Sequence, residues 1–192
     1  MNVVIFEDSH IENLFPFSIN HPSFELRCGI YTNIERIVKC FDDDTNFFLV
    51  IRKELQDIYQ KKYPRYIINP HNLPKGLYLN GGVIWNQNDV DKVINGFSFS
   101  CSGKLVSFNN TSIMSEDTES FFQGFSKIVN DLFNKMSKVT SDIDVDYITY
   151  LWDIIYFSEK IFLNDKRKHS SSKLGKIHSS AVFINDDDIY IS

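Results

Sequence analysis

Residues 3–37, VVIFEDSHIENLFPFSINHPSFELRCGIYTNIERI, constrain the fold more than any other stretch of the chain. A short apolar run, VVIF, stops at Glu7-Asp8, and a long connection carrying Pro16 and Pro22 precedes the next helical pattern. Strand-to-helix connections in α/β units usually take about 2 to 6 residues, and much longer loops are functional or disordered. Leu14, Phe15, Phe17, Ile19 and Phe24 argue against disorder, because a segment this apolar gains by folding back onto the domain. The stretch therefore reads as a buried strand opening an α/β ligand site. The competing reading is a well-packed loop that holds no ligand.

With 192 residues and 43% hydrophobic composition, the chain can bury a substantial core and fits one domain of ordinary size, or one plus a short appendage. Its net charge of −5 argues against generic nucleic-acid binding, which depends on neutralising phosphates. No apolar run approaches the roughly 20 residues needed to span a bilayer, so no membrane partner is expected. Met1 leads directly into a strand without a leader pattern, which sets a cytoplasmic expectation. Cys28, Cys40 and Cys101 are odd in number and widely spaced, and so are read as reduced packing residues.

Along the chain, Ile30, Ile34, Ile37, Val38 and Phe41 predict an amphipathic helix that stops at Asp42-Asp43-Asp44, a solvated turn. Residues 47–51 read as a buried strand, and Leu55, Ile58 and Tyr59 mark a helix closed by Pro64. A short strand over 66–68 and a loop over 69–76 follow. Residues 77–85 read as a strand interrupted at Asn80-Gly81-Gly82, where glycines imply a bulge or a close approach by backbone or ligand. The order strand, helix, strand, helix, strand, strand suits a mostly parallel sheet flanked by helices.

Residues 97–108 alternate around Ser102-Gly103 as a hairpin. Phe121, Phe122, Phe125, Ile128, Val129, Leu132, Phe133 and Met136 predict a helix with a core-facing stripe, and a second long helix is predicted over about 147–163. The run Lys166-Arg167-Lys168-His169 and the serines after it read as a solvated linker. Two short β-like runs, AVFI and IYIS, close the sequence.

No phosphate loop, dinucleotide fingerprint, C-x-x-C, H-E-x-x-H or G-x-S-x-G motif is present, so position carries the functional argument. In open α/β sheets ligands bind outside the carboxyl ends of the strands, where Glu7, Asp8, Asn80 and Gly81 fall. Asp8 can orient a ribose or a metal-bound water, or simply bond within its loop. Arg27 can clamp a phosphate through paired hydrogen bonds, or pair with Glu7 or Glu25. Asn80 and Gly81 can admit a nucleotide or sugar hydroxyl, or form a plain turn. Trp152 falls at the edge of a buried helix face, free to stack on a sugar or base or merely to pack, with Asp153 toward solvent or a cleft. His10, His21 and His71 are isolated in loops.

Phe6-Glu7-Asp8, then Asn13-Leu14-Phe15-Pro16-Phe17-Ser18, Pro22 and the run from Phe24 through Arg27 to Ile30 resemble the opening signature of the GlmU-like sugar nucleotidyltransferases. The first domain of these proteins is related to that of N-acetylglucosamine-1-phosphate uridylyltransferase. The strand before Asn80-Gly81, the Gly103 hairpin, and Trp152-Asp153 with Asp165 are similar to later landmarks. Ile177-His178-Ser179-Ser180-Ala181-Val182 and Ile189-Tyr190-Ile191 look like an entrance to a left-handed β-helix of hexapeptide repeats.

The resemblance implies a nucleotide-diphospho-sugar transferase-like, Rossmann-like α/β domain over 1–168, with a linker and the start of a β-helix over 169–192. It implies transfer of a nucleotidyl group from a nucleoside triphosphate to a sugar 1-phosphate, with pyrophosphate released and Mg²⁺ assisting. Arg27 and Asp8 would be catalytic, Glu7, Asn13 and Pro16 would bind nucleotide, and Asn80, Gly81, Trp152 and Asp153 would meet substrate, with the metal ligands unassigned. A homo-oligomer is implied, a trimer if a β-helix follows. The chain departs from the family's pattern in having no Gly or Arg in EDSHIENLF, a histidine at position 21, and Asn80-Gly81-Gly82 where enzymes carry a metal-binding Asp. The alternative is a catalytically degenerate nucleotide-sugar-binding or structural module attached to a β-helix.

Overall fold

The computed structural model describes residues 1–111, 114–115, 127, 131, 141–166, 172–173, 176–185 and 189–191. The helix expected over 121–136, most of the basic run and the acidic run before Ile189 lie almost wholly outside the described residues. In chain order the elements are β1 (Asn2–Phe6), β2 (Arg27–Cys28), β3 (Tyr31–Thr32), α1 (Asn33–Val38), β4 (Asn46–Val50), α2 (Gln56–Lys62), β5 (Ile67–Ile68), β6 (Asn72–Leu73), β7 (Gly76–Asn80) and α3 (Gln87–Val93). There follow β8 (Ser98–Cys101), β9 (Lys104–Asn110), β10 (Met114–Ser115), β11 (Ser141–Asp142), α4 (Leu151–Lys166), β12 (Ser172–Lys173) and β13 (Tyr190–Ile191).

The main sheet has the order β11-β8-β9-β7-β1-β4-β5. The β1–β4, β1–β7, β4–β5 and β8–β11 pairs are parallel, and β9 alone runs against its neighbours β7 and β8. The mostly parallel α/β sheet expected from the sequence is therefore present. VVIF is apolar throughout because β1 is central and covered on both faces. Val3 and Ile5 join Leu49, Leu77, Leu79, Ile34, Ile37 and Tyr59 in one core, while Val4 and Phe6 join Val50, Tyr78, Leu105 and Phe108 in another.

Several boundaries differ from the sequence reading, each for a local reason. The helix expected from Ile30 begins at Asn33, because Gly29, at φ +76°, turns β2 back onto β3. Thr32 and Glu35 then form a reciprocal capping box, with the Glu35 N–H donating to Thr32 Oγ1 and the Thr32 N–H to Glu35 Oε2. A side chain at Gly29 would also meet Asp165 Oδ2 at 2.6 Å. The last helix starts at Leu151, since residues before it are used otherwise: Val83 bridges Tyr147, and the Ile148 N–H donates to the Gly82 carbonyl. Helix α3 was not expected, although Asn86, whose Oδ1 accepts the Asp89 N–H, and the apolar Val90, Val93 and Ile94 announce it.

The loop after β1 folds back as expected for Leu14 and Phe24, which are buried, whereas Phe15 and Ile19 are exposed. Its first turn, Ser9–Leu14, contributes Ile11 and Leu14 to a third core with Leu26, Ile84, Ile148 and Ile161, so the loop is wedged between the sheet and α4. A buried bidentate pair, Arg36 to Asp165 at 2.6 Å for each bond, ties the end of α4 to α1, and the Ile30 N–H donates to Asp165 Oδ2 at 2.9 Å from the β2–β3 turn. Of the two β-like runs AVFI and IYIS, only the second contains a strand. Tyr190–Ile191 pairs in parallel with Ser172–Lys173, and residues 181–184 are not strand. Among the described residues no helix is long and apolar enough to cross a membrane, and all three cysteines are free.

Candidate active site

From β1 the chain moves to β4 and β5 on one side and then returns to β7 on the other, so the order of the parallel strands reverses between β1 and β7. Such a junction leaves a crevice at the carboxyl ends of the strands, where open α/β sheets bind ligands. Asp8, two residues past β1, and Asn80, the last residue of β7, meet across it: Asn80 Nδ2 donates to Asp8 Oδ2 at 2.7 Å. Tyr147 OH donates to the same oxygen at 2.8 Å, and the His10 N–H donates to Asp8 Oδ1 at 2.9 Å. His10 Nδ1 lies 3.3 Å from Asp8 Oδ2.

Burial pushes the Asp8 carboxyl up, but the hydrogen bonds from His10, Asn80 and Tyr147 and the attraction of His10 outweigh it, and the group is held below the usual carboxylate range. The Tyr147 phenol is driven well up by burial and by Asp8 beside it, so it remains a donor. Asn80 is fixed at both ends of its amide, since Oδ1 accepts the Gly82 N–H at 2.9 Å. Lys104, at the start of the reversed strand β9, brings a cation to the same edge. Its Nζ donates to Thr149 Oγ1 at 2.7 Å and sits 4.5 Å from the Tyr147 ring centre. A preorganised carboxylate with an ammonium nearby suits a hydroxylated, phosphorylated ligand.

The other sequence candidates have different surroundings. Glu7 is fully buried, accepting the Ser23 N–H at 3.0 Å and the Arg52 N–H at 3.2 Å, with Arg52 Nε 3.4 Å from its Oε2. Burial raises its carboxyl to about 7 against the pull of Arg52. Gly81 is closed over by the loop, since an added Cβ would meet Phe24 Cβ and Ser23 Oγ at 3.0 Å; the close approach its glycine allows is by protein. Asn13 and Pro16 lie on the exposed side of the loop. Trp152 is 64% exposed and stacks on Tyr150 at 4.5 Å. Asp153 caps α4, its Oδ2 accepting the Thr149 and Tyr150 N–H groups at 2.8 and 2.9 Å. Arg27 is exposed, bonded to the Ile30 carbonyl and 3.6 Å from Glu35.

Asp8 and Asn80 are thus brought together, and Arg27, Trp152 and Asp153 are not among the residues that bond to them. Four further residues gain a role from the fold. Tyr147 and Lys104 join the cluster through pairings distant in sequence. His10 is not isolated. Arg52, directly after the apolar run 47–51, donates to the Ser18 and His21 carbonyls and holds the opening loop down over Glu7.

A sequence-family profile described as sugar nucleotidyl transferase matches residues 3–172, which include nearly all of the α/β domain. The chain belongs to the sugar nucleotidyl transferase family. Membership bears out the resemblance carried by the opening loop at the level of sugar nucleotidyl transferases, a broader group than the GlmU-like proteins. No curated protein matches the sequence. Among solved structures, CTP:phosphocholine cytidylyltransferase (LicC) from Streptococcus pneumoniae is similar at 11% identity and TM-score 0.46, over 83% of this chain and 98% of that one. A homologue of Mycobacterium tuberculosis rv0371c from Mycobacterium sp. strain JC1 is similar at 10% identity and TM-score 0.46, over 88% of this chain and 98% of that one.

Proposed function

We propose that the junction between β1 and β7 transfers a nucleotidyl group from a nucleoside triphosphate to a sugar 1-phosphate. The acceptor's phosphate oxygen attacks the α-phosphorus, the bond from that phosphorus to the β-phosphate bridging oxygen breaks, and pyrophosphate leaves. The observation that carries this reading, in a member of this family, is the Asp8–Asn80 contact across the switch point of the sheet, braced by Tyr147 and flanked by Lys104. Phosphoryl chemistry of this type needs positioning and charge neutralisation more than a protein nucleophile.

In this reading Lys104 leaves Thr149 to meet a phosphate, and Asn80 and Tyr147 hold Asp8 in one orientation. The exposed Asn13 and Pro16 border the nucleotide, and Trp152 offers a ring to the sugar. Glu7 acts from beneath by fixing the loop, and Asp153 by fixing the start of α4. Arg27, engaged with Glu35, is assigned no step. The residues fit Mg²⁺ in the way such sites usually hold it, through one or two carboxylates and the substrate phosphates. Asp8 would be the protein ligand, through the lightly loaded Oδ1, and the ion would neutralise charge on the triphosphate.

Pyrophosphate release, measured over a panel of triphosphates and sugar 1-phosphates with Mg²⁺, tests the reading. Asp8→Asn is expected to lower turnover by about 100-fold or more at a temperature where far-UV circular dichroism shows the variant still folded. If no pair gives turnover and a nucleotide-sugar still raises the melting temperature, the chain is the non-catalytic binding module instead.

A further inference from the structure

A second cavity lies away from the Asp8–Asn80 cluster, between the end of the opening loop, α1 and the end of α2, with a volume of about 530 Å³. That is within the range of small-molecule sites, and none of the strand-end residues lines it. Two aromatic pairs form its walls. Phe17 stacks on His21 at 4.8 Å and 22°, and Tyr63 stacks on Tyr66 at 5.6 Å and 15°. Ile34 and Val38 supply an apolar floor from α1.

Its charges are unequal in availability. The two carboxylates are already engaged by the protein: Glu25, whose side chain is 6% exposed, takes Tyr59, Tyr63, Lys62 and His21, and Glu35 is used in the capping box of α1. The cations are engaged too, Lys62 with Glu25 and Arg27 with Glu35, but only in part. Lys62 and Arg27 have side chains 48% and 57% exposed, and Lys39 rests its ammonium 3.5 Å from the Tyr31 ring centre. An ammonium carries three donors and a guanidinium five, so each retains donors for a further acceptor.

We propose that this cavity binds a flat aromatic anion, its ring against the tyrosine and Phe17–His21 walls and its phosphate or carboxylate among Lys39, Lys62 and Arg27. A neutral ring would leave the spare donors of these cations to water, and a bare anion would leave the rings wet. The proposal concerns binding alone and is independent of nucleotidyl transfer. It also has a route to the strand ends, since the segment that walls the cavity contains Ser23 and Phe24, which pack on Glu7 and Gly81.

Calorimetric titration of the full chain with 1-naphthyl phosphate, 1-naphthol and inorganic phosphate tests it. The phosphate ester is expected to bind at least about tenfold tighter than either half, with Lys39→Gln and Lys62→Gln each weakening it about fivefold. Tyr66→Leu should weaken it as well, and the lysine variants carry the test if that variant does not fold. Asp8→Asn should leave the affinity unaltered. The idea is overturned if 1-naphthol binds as tightly as its phosphate, if the lysine variants bind like wild type, or if Asp8→Asn abolishes binding, which would return the ligand to the strand-end site.

Discussion

Glu7 and Asp8 are neighbours in the chain, yet one carboxylate lies under the opening loop and the other at the junction of β1 and β7. Successive side chains leaving a strand point in opposite directions, so a single acidic pair serves both sides of the strand end. On the Glu7 side the partners are Ser23 and Arg52, and burial raises the acid to about 7. On the Asp8 side burial is outweighed by donors from His10, Asn80 and Tyr147, and the acid is held low. The first arrangement ties down a loop, and the second holds an ionised carboxylate at the sheet junction.

Removing Arg52 should break the buried side most severely. Its guanidinium reaches Glu7 and the Ser18 and His21 carbonyls, so Arg52→Ala strands a buried acid and frees the loop at once. A loss of about 3 to 5 kcal/mol in denaturant unfolding at pH 8 is expected, where Glu7 is ionised, with faster amide exchange over residues 17–27. A loss under about 1 kcal/mol at that pH would falsify the clamp.

Glu7 itself sets a pH dependence of nearly the same size. Its acid rises from an ordinary 4.5 to about 7 on folding, so between these values the native state holds the proton more tightly than the unfolded chain. Stability from this group is complete below pH 4.5 and is lost as pH rises through 7, by up to about 3 kcal/mol. Glu7→Gln cannot titrate. The stability difference between variant and wild type should therefore shift in the variant's favour across that window, and parallel pH curves for the two proteins would rule the assignment out. Gly81→Ala tests the same packing from above. Its Cβ would crowd Phe24 and Ser23 at 3.0 Å, and the expected cost is about 2 kcal/mol by thermal unfolding, with no loss pointing to a loop looser than the structure shows.

The sheet was legible where residues are buried on both faces, because VVIF and the run 47–51 admit few other readings. The Ser102-Gly103 hairpin was equally clear, its two turn residues both adopting positive φ, at 50° and 75°. Helix starts were harder, since they depend on single capping contacts: Thr32 with Glu35 moved one start later, and Asp153 moved another by binding backbone groups ahead of it. Asp8 and Asn80 were visible as strand ends. Tyr147 and Lys104 were not, because nothing local in the sequence records that Tyr147 bridges Val83 or that β9 reverses beside β7. Position along a strand can be read from alternation, whereas the partner across a junction is set by topology.

Tyr147→Phe gives the smallest effect and the sharpest contrast. It removes one of the donors that hold Asp8 low while keeping the ring, so a stability loss of about 1 kcal/mol near neutral pH is expected. The sign of its pH dependence is opposite to that of Glu7. A depressed carboxylate contributes stability above its unfolded value, near 3.8, and loses it as pH falls through the lower folded value. The variant, with Asp8 less depressed, should therefore lose less stability on acidification than wild type, and the difference between the two should be constant above pH 5. If the two proteins instead diverged between pH 5 and 7, the titration would belong to Glu7, and the division of the strand end into a side that holds the loop and a side that faces the β1–β7 junction would be wrong.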